Sequence, residues 1–249
     1  MRRAAGLLSR IYVPDTPAPG ATISLPPTGA QHLSRVLRAA PGDHLVVFNE
    51  GIEYPATVTH IDKSRVIVKL ATGTPVDRET PLACTLAQAV SSGDRMDITL
   101  QKAVELGVRC VQPLFSERSV VRLTEERAAK RTEHWRQVMI SACEQCGRNR
   151  IPELAVALSF SDWLATLAPV ANGELRVLLS LRAATRPADL ARPDAVILLA
   201  GPEGGFTEIE AALAQRYGFV ALKLGPRVLR TETAALVALA TMNVLWGDL

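Results

Sequence analysis

The residues best suited to chemistry lie in two turns close to the C-terminal end. The first follows an apolar run, Leu198-Leu199-Ala200, and reads Gly201-Pro202-Glu203-Gly204-Gly205-Phe206-Thr207. Three glycines within five residues permit positive φ and a close approach of ligand to backbone. Thr207-Glu208-Ile209-Glu210 has the spacing of a capping box, so the turn ends at a defined helix start. A plain strand-to-helix turn uses such glycines equally well, and the local sequence supports both readings. The second turn is Leu224-Gly225-Pro226-Arg227-Val228-Leu229-Arg230-Thr231. Arg227 and Arg230 are three apart and share a face if helical geometry has begun there. Their guanidinium groups then suit a phosphate or a substrate oxygen, although an ion pair with Glu203 or Glu232 would occupy them just as well.

Several other chemistries find no support. There is no G-x-G-x-x-G, no G-x-x-x-x-G-K-[ST] and no G-x-S-x-G, which argues against a Rossmann dehydrogenase, a P-loop NTPase and a serine hydrolase. Cys143 and Cys146 form a CxxC, but late in a helical pattern rather than at a helix start, where a thiolate would be stabilised. No second CxxC exists, and His32, His44, His60 and His134 lack zinc-site spacing, so no metal is expected. Four cysteines are too few to staple 249 residues, and no apolar signal region opens the chain, which points to a reducing cytoplasm. No apolar run reaches the roughly 18 residues of a membrane span.

Two kinds of segment must position these turns. At 48% hydrophobic and 21% charged residues the chain is an ordinary globular one, long enough for one or two domains. The net charge of +3 is not spread evenly. Residues 1–72 hold eight Lys and Arg against five Asp and Glu, whereas residues 73–249 hold twenty of each. The basic segment reads as a small β-barrel, with strands at 21–25, 44–49, 54–61 and 65–70 and a helix over 29–38. Residues 73–81, with Gly73, Pro75 and Pro81, read as a linker. Residues 82–249 alternate strands (82–89, 111–115, 154–158, 175–181, 196–200) with helices, one of them from about Thr124 to Cys146. This is an α/β domain with a parallel sheet. A last helix from Thr231 to about Trp246 is apolar nearly all round and must be buried in the core or against a second subunit.

The two turns, Ala200-Gly-Pro-Glu-Gly-Gly-Phe206 and Leu224-Gly-Pro-Arg-Val-Leu-Arg-Thr-Glu-Thr-Ala234, resemble the C-terminal motifs of the RsmE family of SPOUT methyltransferases. Arg10-Ile11-Tyr12, His32-Leu-Ser-Arg-Val-Leu-Arg38, Gln101-Lys102-Ala-Val-Glu105-Leu-Gly107, Glu117-Arg-Ser119 and Glu144-Gln-Cys-Gly-Arg148 extend the likeness along the whole chain. The resemblance implies an N-terminal PUA-like barrel and a C-terminal α/β domain with a deep trefoil knot, acting as a homodimer. It further implies methylation of N3 of one uridine in 16S ribosomal RNA, within the assembled small subunit, with S-adenosyl-L-methionine as donor and no metal.

On the matching motifs, Leu199, Gly201, Gly205, Leu224, Gly225 and Leu229 would hold the donor, with Leu181 in the loop after an earlier strand as a third wall. Arg230 is the first choice of catalytic residue, and Arg227 and Glu203 follow. Arg10, His32, Arg35, Arg38 and Arg148 would contact RNA, with Arg2, Arg3 and Arg150 extending the basic face. A SPOUT enzyme acting on guanosine N1 or a ribose 2′-oxygen, and an RNA-binding assembly factor without catalysis, are the competing expectations.

Overall fold

The computed structural model describes residues 9–62, 65–119 and 125–249. Arg2 and Arg3, the turn residues Lys63 and Ser64, and the expected helix start at Thr124 lie outside them. The chain divides into two units, one running to Glu79 and including Cys143–Ile151, the other made of Thr80–Ala142 and Pro152–Leu249.

The first unit is built on a six-stranded sheet: β1 (Arg10–Tyr12), β2 (Thr22–Ser24), β3 (His44–Asn49), β4 (Ile52–Ile61), β5 (Val66–Leu70) and β6 (Thr74–Pro75). Its order is β1-β3-β4-β5-β2, with β6 paired to β4; only β1 and β3 run parallel. Alternation explains its two faces. Val66, Val68 and Leu70 point inward from β5, and Tyr54, Ala56 and Val58 from β4, where they meet Ile11, Leu45 and Val47. The expected helix over 29–38 is two pieces, α1 (Pro27–Gln31) and a wider π-helical turn over His32–Val36. Leu33 is the buried anchor of that turn, and Gly29 lets α1 approach β1, since a Cβ there would lie 2.7 Å from Ile11 Cγ2. Residues 73–79 are not a free linker: β6 lies in them, and the Val76 amide donates to the Gly51 carbonyl.

In the second unit an all-parallel sheet carries the chemistry. Its strands are β7 (Ala83–Ala89), β8 (Cys110–Phe115), β9 (Glu153–Leu154), β10 (Leu158–Ser159), β11 (Glu174–Leu179), β12 (Ala195–Ala200) and β13 (Val220–Leu222). The order is β10-β8-β7-β12-β11-β13, with β9 on β8. The run at 154–158 is thus two short strand pieces, not one strand. Between the strands stand α2 (Arg95–Glu105), α3 (Glu125–Cys146), α4 (Phe160–Thr166), α5 (Glu208–Arg216) and, last, α6 (Thr231–Trp246). Near-continuous apolar strands such as Ala195-Val-Ile-Leu-Leu-Ala200 suit a sheet covered on both faces, and Leu86, Val111, Val177, Leu198 and Leu199 are all fully buried. The chain leaves β7 toward one edge of the sheet and leaves β12 toward the other. Their shared boundary is a topological switch point, where open α/β sheets form a crevice at the carboxyl ends of the strands.

Helix α6 lies against β7, β12 and α2. Ala235, Ala238, Leu239 and Met242 face that core, whereas Val244 and Leu245 are exposed within one chain. Burial of the helix is therefore one-sided, not complete.

Candidate active site

Parallel register puts the two turns in one row. Ala200 pairs with Gln88, Leu199 with Leu178, and Leu179 with Leu222, so the segments that follow β7, β11, β12 and β13 leave the sheet along one carboxyl edge. The Ser180 amide donates to the Leu222 carbonyl and the Lys223 amide to the Thr185 carbonyl, tying the loop after β11 to the start of the second turn.

Pro202–Gly205 closes a tight turn, with the Gly205 amide donating to the Pro202 carbonyl at 2.9 Å. Gly205 has φ of +66° and Gly225 of +139°, conformations that a side chain would strain, and both are open at the position a Cβ would take. The first turn ends as its capping box requires. Thr207 Oγ1 accepts from the Glu210 amide, and Glu210 Oε2 accepts from the Thr207 amide.

Three braces from other elements hold this turn. Arg118, in the loop after β8, donates from Nη1 to the Gly204 carbonyl at 3.0 Å. At the start of α2, Arg95 Nη1 donates to Glu203 Oε1 at 2.6 Å, and the same oxygen accepts from the amide and the hydroxyl of Ser92, each at 3.1 Å. Partial burial raises the Glu203 pKa, but hydrogen bonds from its own backbone, Ser92 and Arg95 outweigh it and hold the carboxyl below its ordinary value. The third brace is Thr231, at the first position of α6, whose hydroxyl donates to the Gly201 carbonyl at 2.5 Å.

The sequence-derived donor residues separate by environment. Gly201, Gly205, Leu224, Gly225 and Leu229 are partly exposed along the carboxyl edge, and Leu181 is about half exposed in the third loop. Leu199 is fully buried in a cluster with Leu178, Ala87 and Phe160, so its side chain supports the edge from below. Main-chain groups and small apolar side chains around two open glycines suit a flat, neutral ring such as adenine.

Arg227 and Arg230 are exposed, and neither side chain meets a partner among the described residues. They do not share a helical face, because α6 begins only at Thr231 and Arg230 is extended at φ −64°, ψ 156°. Nor do they pair with Glu203, which is taken by Arg95. Burial pushes Cys84 and Cys143 up to about 12 and Cys110 up to about 11, so none of these three is a ready thiolate.

In the first unit His32, Arg35 and Arg38 stand exposed on the π-helical turn and the residues just after it. Arg38 has φ of +51°, a conformation uncommon outside glycine. Arg10 and Arg148, expected on the RNA-binding face, are instead turned inward. Arg10 donates to Glu53, to Asn149 Oδ1 and to the carbonyls of Gly147 and Arg148, while buried Arg148 pairs with Glu79. Arg150 is half exposed and 3.6 Å from Glu50.

Sequence reasoning missed Gln88, Ser92 and Arg95 and gave no role to Arg118 or Thr231. Two signals were present: a glutamine among the apolar residues that end β7, and an arginine in the Glu117-Arg-Ser119 motif that no proposed step used.

Comparison with known proteins places this geometry. A model of the RNA methyltransferase domain matches residues 78–243, and a model of the RNA methyltransferase PUA domain matches residues 26–71. Ribosomal RNA small subunit methyltransferase E of Buchnera aphidicola is 31% identical over 97% of this chain and 95% of its own length. A methyltransferase from Legionella pneumophila, solved with bound SAM, superposes with a TM-score of 0.93 at 40% identity, covering 98% of this chain and 100% of that one. Ribosomal RNA small subunit methyltransferase E from Neisseria gonorrhoeae, bound to S-adenosyl methionine, gives 0.88 at 41% identity over 97% and 99%. Full-length likeness in sequence and a domain model that spans both glycine turns together establish that this chain belongs to the RNA methyltransferase family of ribosomal RNA small subunit methyltransferase E.

Proposed function

We propose that this protein transfers a methyl group from S-adenosyl-L-methionine to N3 of a uridine in 16S ribosomal RNA of the small ribosomal subunit, in the cytoplasm. The observation that carries this reading is the meeting of the two glycine turns on one sheet edge, with two arginines on the second turn that meet no partner among the described residues. Gly201, Gly205, Leu224, Gly225, Leu229 and Leu181 hold the donor there, and Leu199 backs them from the core. When bound, the donor supplies an electrophilic methyl on sulfonium.

The chain's own residues then have two tasks, to align uridine N3 with that methyl and to favour loss of its proton. The charge left by the proton spreads onto O2 and O4 of the ring, and a fixed guanidinium lowers the cost of that charge. Arg230 takes this role, with Arg227 beside it. Glu203 already accepts three hydrogen bonds from Ser92 and Arg95 and acts by holding the turn. Glu232, in the first turn of α6, is the carboxylate left to accept the proton.

His32, Arg35 and Arg38 bind the RNA backbone, whereas Arg10 and Arg148 keep the Cys143–Ile151 segment in the first unit. Two copies associate through the exposed apolar side of α6, at Val237, Val244 and Leu245. The assembled subunit, not free RNA, is the substrate.

Mass spectrometry of ribosomal RNA nucleosides from cells lacking the gene tests the assignment. N3-methyluridine should vanish and return on complementation; its persistence at the normal level overturns the reading.

A further inference from the structure

Gln88 is a costly residue to keep where it is. It sits near the end of β7, 0% exposed, in a strand whose neighbours Leu86, Ala87 and Ala89 are also fully buried. Its Nε2 donates to the Ala89 carbonyl and to Thr231 Oγ1, both at 3.0 Å. Its Oε1 is buried with no hydrogen-bond partner among the described residues. A buried acceptor left unpaired destabilises a fold, and an apolar side chain of similar size would avoid that cost. Packing alone therefore does not account for a glutamine here.

Thr231 is the first residue of α6, one past the N-cap Arg230, so its hydroxyl is not the helix cap. Here the hydroxyl accepts from Gln88 and donates to the Gly201 carbonyl. The result is a buried relay, Gln88 Nε2–H to Thr231 Oγ1–H to Gly201 C=O. It joins the end of β7, the start of α6 and the first residue of the glycine turn, across the switch point between β7 and β12.

We infer that Gln88 and Thr231 are positioning residues for donor binding: through the Gly201 carbonyl they fix the orientation of the Gly201–Pro202 peptide, and so of the main chain that the donor meets. The inference rests on the functional reading above, in which the Gly201 turn holds the donor. Neither residue need touch the donor, because a locked carbonyl fixes the plane of this peptide, whose proline nitrogen carries no N–H, and so the path of the main chain into the Pro202–Gly205 turn. The relay also ties the turn to α6, which follows directly on Arg230.

Calorimetry with S-adenosylmethionine, thermal melting and steady-state kinetics on the full chain test this with Q88L, T231V, T231S and the double variant Q88L/T231V. The wild type should bind the donor; a wild type that binds none overturns the functional reading and the relay with it. Given binding, T231V, which removes both hydrogen bonds of the hydroxyl and with them the hold on the Gly201 carbonyl, should weaken donor affinity about tenfold. T231S, which keeps the hydroxyl, should stay within about threefold of wild type. Q88L should weaken donor affinity while its melting temperature holds or rises, a split that a purely structural role would not produce. The double variant should lose no more affinity than T231V alone, because Gln88 acts through Thr231. KM for the donor should rise with KM for the RNA unchanged. Wild-type donor affinity in folded T231V and Q88L overturns the relay and leaves the functional reading standing. So does a loss in Q88L that tracks a fall in melting temperature. Should T231V fail to fold, Q88L and T231S decide the question by the same measurements.

Discussion

The Arg95 guanidinium lies 2.6 Å from the Glu203 carboxylate, joining the first residue of α2 to the middle of the glycine turn after β12. Glu203, one of the expected catalytic residues, is thereby braced from α2, and its ion-pair partner is Arg95 rather than Arg227 or Arg230.

Replacing Glu203 with glutamine should raise KM for S-adenosylmethionine several-fold and leave kcat within about threefold, because loosening a turn weakens binding more than chemistry. R95A should reproduce the effect. Steady-state kinetics in both substrates check this, and a kcat lowered by orders of magnitude in E203Q would instead make the carboxylate a proton acceptor.

R230A should lower kcat on the order of a hundredfold, the scale of losing one donor to a developing oxyanion. Donor affinity measured by calorimetry should stay within about threefold of wild type. R227A should show the smaller loss of the two.

The first unit should show acid sensitivity traceable to Glu53. Burial raises this carboxyl's pKa, but hydrogen bonds from Arg78, Arg10 and Asn149 overcome that and bring it down to about 2. A depressed folded-state pKa contributes stability that is fully present above the unfolded value of about 4.5 and lost as pH falls from there toward 2. E53Q should cost about 2 kcal/mol at pH 7, allowing for solvent screening, and flatten the decline below pH 5. Urea melts across pH 3–7 measure both.

Replacing Arg35 and Arg38 with alanine should weaken RNA binding across sequences and reduce the slope of log K against log salt by about 2. R148A should leave the slope unchanged and lower stability, since its guanidinium is spent on Glu79. Filter binding over a salt series separates the two outcomes.

Much of the fold was legible because parallel strands and capping boxes are written locally. The apolar run at 196–200, the glycine turn and Thr207-Glu-Ile-Glu210 form contiguous signals, and the structure keeps their boundaries within a residue. Less legible was whatever depends on a partner far along the chain. The helix expected over 29–38 widens into a π-helical turn after Gln31, and the apparent linker at 73–81 gives a strand to β4.

Sequence alone determined the kind of site: two glycine turns after parallel strands, two arginines on the second, and a basic segment apart from a charge-balanced one. Only the tertiary structure decided which charged groups remain available. Arg10 and Glu53 are 43 residues apart, Arg95 and Glu203 are 108 apart, and Gln88 and Thr231 are 143 apart. Short-range spacing carries no information about pairings that sheet register and loop packing impose. Burial then settles their use, because the Arg10 and Arg148 guanidinium groups are turned inward onto Glu53 and Glu79, whereas Arg227 and Arg230 are exposed and meet no partner among the described residues.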